Sequence, residues 1–167
     1  LTDLKLDSAT ITTGLLHDTI EDTFATYETI KGEFGDEVAD LVDGVTKISV
    51  LENTATSNSK AENFRKLILA TSKDIRVLLV KIADRLHNMR TIKAIQNEDK
   101  RKRISQETME IYAPLADRMG MHRIRDELED LSFEILNNDA RKLIQKRLDE
   151  IKLDKKDIFE NLSNEFD

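Results

Sequence analysis

Four ionisable side chains crowd the short segment LLHDTIEDT: His17, Asp18, Glu21 and Asp22. The spacing of the apolar residues predicts one helix over residues 8–22, which would place all four on about one and a half turns. Three carboxylates so close repel one another unless a cation or a shared proton compensates them. The segment therefore indicates a divalent-metal site, with a solvated helix end as the alternative interpretation.

A second group of polar residues, KIADRLHNMRT over residues 81–91, directly follows the apolar run VLLV. An acid that emerges from a buried helix needs a partner, and Asp84 is such an acid. If the two helices pack side by side, Asp84 would join His17 and Asp18 around one ion. Nitrogen and oxygen ligands of this kind suit Mn²⁺, Fe²⁺, Mg²⁺ or Zn²⁺. The alternative is a structural ion pair between Asp84 and Arg85, a use of buried acids that is at least as common.

Two further histidines and one basic run carry weaker signals. His87 is predicted to pack or to support a neighbouring ligand, and His122 to pack beside a glycine turn. The basic run over residues 100–103 is most simply a solvated helix face, with phosphate contact as the sharper interpretation.

The composition narrows the fold and the classes of partner. Of 167 residues, 35% are charged and 5% aromatic, with five glycines and one proline, so we expect an all-α fold. The formal net charge of −7 disfavours nucleic acid and anionic membranes as partners, and no apolar run is long enough to span a membrane. Because the chain has no cysteine, only His and carboxylates could hold a metal, and a cytoplasmic location is favoured.

Apolar periodicity, caps and helix breakers predict the remaining elements. Ser8, Thr26 and Asp74 are expected to cap helices at their first turns. Gly35 should end a helix, and Pro114 should kink or restart one. The VLLV run should make its helix central to the domain. The predicted helices span residues 8–22, 27–34, 37–45, 60–71, 74–91, 97–120, 124–136, 140–153 and 157–166, with a polar loop over residues 49–59.

Four segments, in the same order along the chain, carry a more specific signal: GLLHDTIEDT, GEFGDEVADLVDGVTKIS, KAENFRKLILATSKDIRVLLVKIADRLHNMRT and ETMEIYAPLADRMGMHRIRDELEDLSFEIL. Together they resemble the RelA/SpoT homologue family over roughly residues 5–150. The similarity is to the hydrolase domain of that family, an HD-superfamily domain, and to the helical segment that follows it.

The resemblance implies an all-α hydrolase domain of the stringent response. Such a domain removes the 3′ pyrophosphate from the alarmones ppGpp and pppGpp, with Mn²⁺ as its cofactor. By the same resemblance, residues 1–119 would form an N-terminally truncated HD domain, and residues 120–167 a helical extension leading toward an absent synthetase domain. We therefore do not expect this chain to synthesise ppGpp.

The family motifs also imply roles for individual residues. His17 and Asp18 would be the HD metal pair, and Asp84 the later metal aspartate. Glu21 and Asp22 match the catalytic pair, which would position or deprotonate the attacking water and assist the leaving group. These are the same residues that charge crowding singles out.

A nucleotide pocket is implied near the end of the helix predicted over residues 74–91. Asn88 and Thr91 match positions that line this pocket, and Asn88 is the expected hydrogen-bond donor to the sugar or phosphate. The polar loop over residues 49–59 matches a family segment near the site.

One part of the family pattern has no counterpart in this sequence. The family supplies a fourth metal ligand, a His, and an Arg and a Lys that hold the guanine end, from a segment upstream of Leu1. We expect the lack of these groups to weaken metal and substrate binding. We also expect Leu15, Leu16 and VLLV to be partly exposed, and a partner chain to supply the missing N-terminal helices.

Functions of different classes remain open at this point. The first is a metal-dependent ppGpp 3′-pyrophosphohydrolase, and the second is a non-catalytic helical module that binds ppGpp or a protein partner. A different HD-type nucleotide phosphohydrolase is the third. It is disfavoured because ETMEIYAPLADRMG and RDELEDLSFEIL resemble this family and not the superfamily at large.

Overall fold

The computed structural model describes residues 1–54 and 74–165. Within these ranges the chain forms helices and contains no strand, which confirms the all-α prediction. The α-helices are α1 (Ser8–Leu16), α2 (Thr19–Asp22), α3 (Tyr27–Phe34), α4 (Asp36–Thr54), α5 (Ile75–Arg90), α6 (Glu98–Glu107), α7 (Ala113–Arg118), α8 (His122–Leu136) and α9 (Asn138–Glu165). Two 3₁₀ turns, Thr2–Leu4 and Ile92–Ala94, and one π-helical segment, Thr108–Tyr112, complete the described part.

The main core lies around α5, as its apolar sequence predicts. Leu78 and Ile82 of α5 are buried against Ile48 of α4 and against Leu115 and Leu128 of α7 and α8. Helix α5 contacts α1, α4 and α8. A helix that is apolar over most of its surface is buried by neighbours on several sides, and α5 has this position.

The predicted exposure of apolar residues is confirmed only in part. Leu15 is 81% exposed, and Leu16 is partly buried. The prediction is wrong for the VLLV run, because Val77, Leu78 and Val80 are buried in the main core.

A smaller apolar cluster holds the segment that contains the HD dipeptide. Ile30 of α3 and Val38 and Val42 of α4 form its buried centre, and Leu16 and Ile20 pack against it from α1 and α2. The cluster therefore anchors both ends of the α1–α2 connection on α4.

Helices α4 and α5 approach each other closely at a glycine. A Cβ atom added to Gly44 would lie 2.9 Å from Cγ2 of Val77, inside the ordinary contact distance. This close crossing sets the distance between the two helices farther along.

Most of the predicted helix ends are confirmed. The side chain of Thr26 accepts a hydrogen bond at the start of α3, and Gly35 ends that helix with a φ of 87°. Asp74 accepts a hydrogen bond from the backbone N–H of Arg76 at 2.9 Å and caps α5. Gly120, with a φ of 72°, follows α7.

The first helix starts and ends differently from the prediction. Asp7, not Ser8, is its N-cap, because the Asp7 carboxylate accepts a hydrogen bond from the Thr10 backbone N–H at 2.8 Å. The helix also stops at Leu16, where the carbonyl accepts a hydrogen bond from the Thr19 hydroxyl at 2.6 Å. Such a side-chain bond competes with the helical backbone pattern. The single helix predicted over residues 8–22 is therefore wrong, and the HD dipeptide lies at a break between α1 and α2.

Helix α4 continues beyond the predicted end. The predicted loop over residues 49–59 is wrong for residues 49–54, which belong to α4. Ile48 and Ser49 are buried, so packing overrides the polar composition of this stretch. Residues 55–59, and the helix predicted over residues 60–71, lie outside the described residues.

The C-terminal part of the chain also forms fewer helices than predicted. The segments 140–153 and 157–166 were expected as two helices, but α9 runs from Asn138 to Glu165 without interruption. The sequence between them contains no Gly or Pro to stop a helix. Four aliphatic side chains of α9 are exposed: Leu143, Ile144, Leu148 and Ile151.

The expected irregularity around Pro114 is confirmed. A π-helical segment, Thr108–Tyr112, directly precedes α7, and Pro114 lies in the first turn of α7. Proline has no N–H to donate to the preceding turn, so it fits the start of a new helix better than the interior of a continuous one. No helix of the described ranges is long and apolar enough to cross a membrane.

Candidate active site

His17 lies at the break between α1 and α2, and its ring is oriented by the chain itself. Its Nδ1 atom is 3.0 Å from the carbonyl oxygen of Gly14. Because a carbonyl can only accept, Nδ1 must donate, which leaves a lone pair on Nε2 of the neutral ring. Nε2 is buried and has no hydrogen-bond partner among the described residues.

Two carboxylates face this nitrogen. Oδ2 of Asp18 is 3.0 Å from Nε2 of His17, and Oδ1 of Asp84 is 3.4 Å from it. The Asp18 side chain is 52% exposed, whereas that of Asp84 is only 12% exposed. The structure thus brings together three of the predicted site residues, one of them from a different helix.

Asp84 is held on α5 by neighbours on both of its oxygens. The Asn88 side-chain amide donates to Oδ1 at 2.8 Å, and Nζ of Lys81 lies 3.5 Å from Oδ2. The same Nζ donates to Oγ of Ser49 on α4 at 2.8 Å. Sequence reasoning missed Lys81 and Ser49. The available signal was a lysine within an apolar run, one helical turn before Asp84.

The charges of the site shift the pKa values of its two central groups. Contact with Asp84 raises the pKa of His17 above its ordinary value, although burial opposes the shift. Burial raises the pKa of Asp84, but His17, Lys81 and Arg85 together outweigh burial and hold that pKa below its ordinary value. Asp84 is therefore an anion at neutral pH despite its burial.

The two predicted catalytic carboxylates, Glu21 and Asp22, lie on the short helix α2, which follows the HD dipeptide. Both side chains are exposed. Within the described part of the chain neither forms an ion pair, so both carboxylates face water close in sequence to the candidate metal ligands.

The predicted substrate-binding residues lie at the end of α5. Asn88 is exposed, and its amide nitrogen is used on Asp84. The Thr91 hydroxyl donates to the carbonyl oxygens of His87 and Asn88, at 3.2 and 3.3 Å. His87 is exposed. A role of Asn88 or Thr91 in binding substrate stays a prediction.

Arg85 makes strong contacts away from the candidate site. Its guanidinium pairs with Glu107 at 3.0 Å and lies 4.2 Å from the ring centre of Tyr112. These contacts join α5 to α6 and to the π-helical segment, so Arg85 has structural work independent of Asp84.

The donor groups fit a divalent cation, although no ready-made group of three His, Asp or Glu ligands occurs among residues 1–54 and 74–165. The fit rests on the buried Nε2 of His17, which has no hydrogen-bond partner there and faces the oxygens of Asp18 and Asp84. A nitrogen with two carboxylates is a donor set for Mn²⁺, Fe²⁺, Mg²⁺ or Zn²⁺.

Comparison with known proteins agrees with this geometry. The model of the HD domain family matches residues 1–122. The chain belongs to the HD-domain family. HD domains are metal-dependent hydrolases of all-α fold, which agrees with the helical architecture and with the donor groups at the α1–α2 break.

Curated relatives refine this placement. The chain is 56% identical to GTP pyrophosphokinase rsh of Brucella ovis, over 90% of this chain and 20% of that protein. It is 47% identical to the guanosine-3′,5′-bis(diphosphate) 3′-pyrophosphohydrolase of Haemophilus influenzae, over 97% of this chain and 24% of that protein. It is 45% identical to the bifunctional (p)ppGpp synthase/hydrolase SpoT of Escherichia coli K12, over 100% of this chain and 24% of that protein. The resemblance to the RelA/SpoT family is thereby confirmed, and the chain spans about a fifth to a quarter of the length of these relatives.

Proposed function

We propose that this HD domain hydrolyses the 3′ pyrophosphate of ppGpp and pppGpp with Mn²⁺ as its cofactor. The observation that carries the proposal is the buried, unpartnered Nε2 of His17 facing the carboxylates of Asp18 and Asp84. The choice of substrate is supported by the names of the Haemophilus and Escherichia relatives, which are described as acting on these nucleotides.

In this proposal His17, Asp18 and Asp84 hold the ion. The Gly14 carbonyl keeps the His17 ring in the tautomer that offers Nε2, and Lys81 and Asn88 fix the Asp84 carboxylate. A bound divalent cation would supply Lewis acidity toward water and toward the phosphoryl oxygens. The two carboxylates also compensate the charge of the ion.

Glu21 and Asp22 perform the proton transfers in the proposed reaction. Water attacks the phosphorus that is attached to the ribose 3′ oxygen, and the bond between that phosphorus and that oxygen breaks. One carboxylate takes the proton of the water, and a proton is delivered to the 3′ oxygen, which gives pyrophosphate and the 3′ hydroxyl. Because the two residues are adjacent, they titrate as a coupled pair.

The remaining parts of the proposal concern the pocket and the location. Asn88 and Thr91 at the end of α5 are proposed to line the nucleotide pocket, on the strength of their motif. A cytoplasmic location is supported by the absence of cysteine from the 167 residues.

The proposal is tested by measuring Mn²⁺ binding and pyrophosphate release on the purified chain. Calorimetry should detect Mn²⁺ binding by the wild type and none by His17→Ala or Asp84→Ala. Glu21→Gln should retain Mn²⁺ binding but release pyrophosphate from ppGpp about 10²- to 10⁴-fold more slowly, because only proton transfer is impaired. Glu129→Gln, an exposed change on α8, is the matched control and should behave as the wild type.

Each result has a defined meaning. Metal-dependent release that is abolished by chelator and by Asp18→Ala supports the proposed enzyme. A chain that circular dichroism shows to be folded, and that binds Mn²⁺ without turnover, would instead indicate a non-catalytic binding module. Tight Mn²⁺ binding by His17→Ala would contradict the assignment of the ligands.

A further inference from the structure

Lys81 is a charged residue inside the apolar core, and its position calls for a physical reason. Its side chain is only 7% exposed, within the most apolar stretch of α5. A lysine is almost never buried unless its ammonium group has partners. Two of its partners are the hydroxyl of Ser49 at 2.8 Å and Oδ2 of Asp84 at 3.5 Å.

The partners of Asp84 are divided between its two oxygens. Lys81 faces Oδ2, whereas Asn88 and Nε2 of His17 face Oδ1, at 2.8 and 3.4 Å. A carboxylate without these contacts could exchange its oxygens by rotation about its last bond. The contact on Oδ2 favours the orientation in which Oδ1 faces His17.

Stability alone does not account for a buried lysine. Replacing buried charges by well-packed apolar residues is often neutral or stabilising, because removal of an ion from water is costly. The surroundings of Lys81 on α5, with Val80 and Ile82 buried on either side, would accept an apolar residue. Lys81 is also too deeply buried to reach a bound nucleotide, so any effect on function must pass through Asp84.

We propose that Lys81, tethered to α4 by Ser49, is a positioning residue that orients Asp84 so that Oδ1 is the oxygen offered to the metal. This inference rests on the proposed function, since it assumes that Asp84 is a metal ligand. It also gives α4 a part in the site: Ser49 lies on the extension of α4, and its hydroxyl fixes the ammonium group over Oδ2.

The test compares Lys81→Met, which keeps the length of the side chain but not its charge, with the wild type. Thermal melting in chelator should be unchanged or higher for the variant, because no buried charge remains. Calorimetry should show Mn²⁺ binding about ten- to a hundredfold weaker, the usual effect of removing a group that orients a metal ligand. The Mn²⁺ concentration for half-maximal pyrophosphate release should rise by the same factor, while turnover at saturating Mn²⁺ changes much less.

Three further variants make the result specific. Ser49→Ala removes the tether only and should weaken Mn²⁺ binding in the same direction but by less. Lys81→Arg keeps the charge and should bind Mn²⁺ more tightly than Lys81→Met. Lys142→Met, an exposed lysine of α9, is the matched control and should bind Mn²⁺ as the wild type does.

The outcomes separate this inference from the proposed function. If the wild type binds Mn²⁺ and Lys81→Met binds it equally well, the role of Lys81 is overturned and the proposed function stands. If the wild type does not bind Mn²⁺, both are overturned. If Lys81→Met does not fold, Ser49→Ala decides: weaker Mn²⁺ binding at an unchanged melting temperature supports the inference, and unchanged binding overturns it.

Discussion

The His17 ring gains its orientation from the Gly14 carbonyl, one turn earlier on α1. This contact uses a backbone group that the end of a helix leaves free. A ligand histidine at the middle of a helix would need another side chain for the same purpose. The break between α1 and α2 therefore provides the carbonyl that selects the tautomer, and sequence periodicity alone did not reveal the break.

Individual site residues differed in how far the sequence could predict them. Crowded charges and a resemblance were enough to single out His17, Asp18 and Asp84, which the structure places together. The link between Lys81 and Ser49 could not be predicted, because Ser49 was assigned to a loop. Only the packing of α4 on α5 shows that these two side chains meet.

A second buried polar atom gives a stability prediction. Tyr112 is 1% exposed, and its hydroxyl has no hydrogen-bond partner among the described residues. Tyr112→Phe keeps the ring under Arg85 and removes only the unpaired hydroxyl. We expect the free energy of unfolding, measured with urea, to stay the same or to rise by up to about 1 kcal/mol.

The other tyrosine of the chain is the matched control. The Tyr27 hydroxyl donates to Asp40 at 2.7 Å, so Tyr27→Phe removes a bond that is made. That variant should unfold at a lower urea concentration than the wild type. A clear loss of stability in Tyr112→Phe would show that its hydroxyl is satisfied in solution.

The cap of α5 gives a prediction about acid stability. Hydrogen bonds from the side chain and backbone of Arg76 lower the pKa of Asp74 below its ordinary value of 3.8. Since the folded-state pKa is the lower one, the stabilisation is complete above the ordinary pKa and is lost as the pH falls through the folded value. Urea unfolding of Asp74→Asn, which keeps a capping oxygen, should depend less on pH than the wild type between about pH 5 and about pH 3.

At neutral pH the two substitutions at Asp74 should differ. Asp74→Ala removes the capping oxygen and should lose about 1 kcal/mol of the free energy of unfolding, whereas Asp74→Asn should lose less. Equal pH profiles for the wild type and Asp74→Asn would indicate that other carboxylates dominate acid unfolding.

Helix ends were predictable where a local signal existed. Thr26, Gly35 and Asp74 each act through a side chain or a φ angle within a few residues, and all three predictions are confirmed. The extension of α4 through residues 49–54 had no local signal, because burial against α5 and not the polar composition decides it.

The close crossing of α4 and α5 makes the whole bundle sensitive to one methyl group. Gly44→Ala would place a Cβ atom 2.9 Å from Cγ2 of Val77. The better helix propensity of alanine is worth about 1 kcal/mol, and overpacking of a core costs about 1–3 kcal/mol. We expect a net loss in the free energy of unfolding of roughly 1 kcal/mol, measured with urea.

Gly32 provides the matched control, because nothing lies within 4 Å of a Cβ atom added there. Gly32→Ala on α3 should raise the free energy of unfolding by up to about 1 kcal/mol. Combining Gly44→Ala with Val77→Ala should show coupling, since the second change removes the methyl group that the first one meets. Additive losses would show that the crossing adjusts freely.

Across the whole molecule, one arginine ties together the starts of three helices. Arg76 contacts Asp7 at 3.5 Å, Glu37 at 2.6 Å and Asp74 at 2.7 Å, and these acids belong to the beginnings of α1, α4 and α5. Leu128 of α8 shares the main core with α5, so the proposed boundary between residues 1–119 and 120–167 divides elements that pack together. That division stays a prediction.

The meeting of His17 and Asp84 also makes the candidate site a reporter of complete folding. The two side chains come from distant parts of the sequence, so the chain must close a long loop, at an entropic cost, before both can contribute to one site. A folding intermediate with α5 formed and α1 undocked would carry Asp84 without His17. Activity measured on a preparation therefore counts the molecules in which both ends of the bundle have joined, and no partially assembled state contributes a share of it.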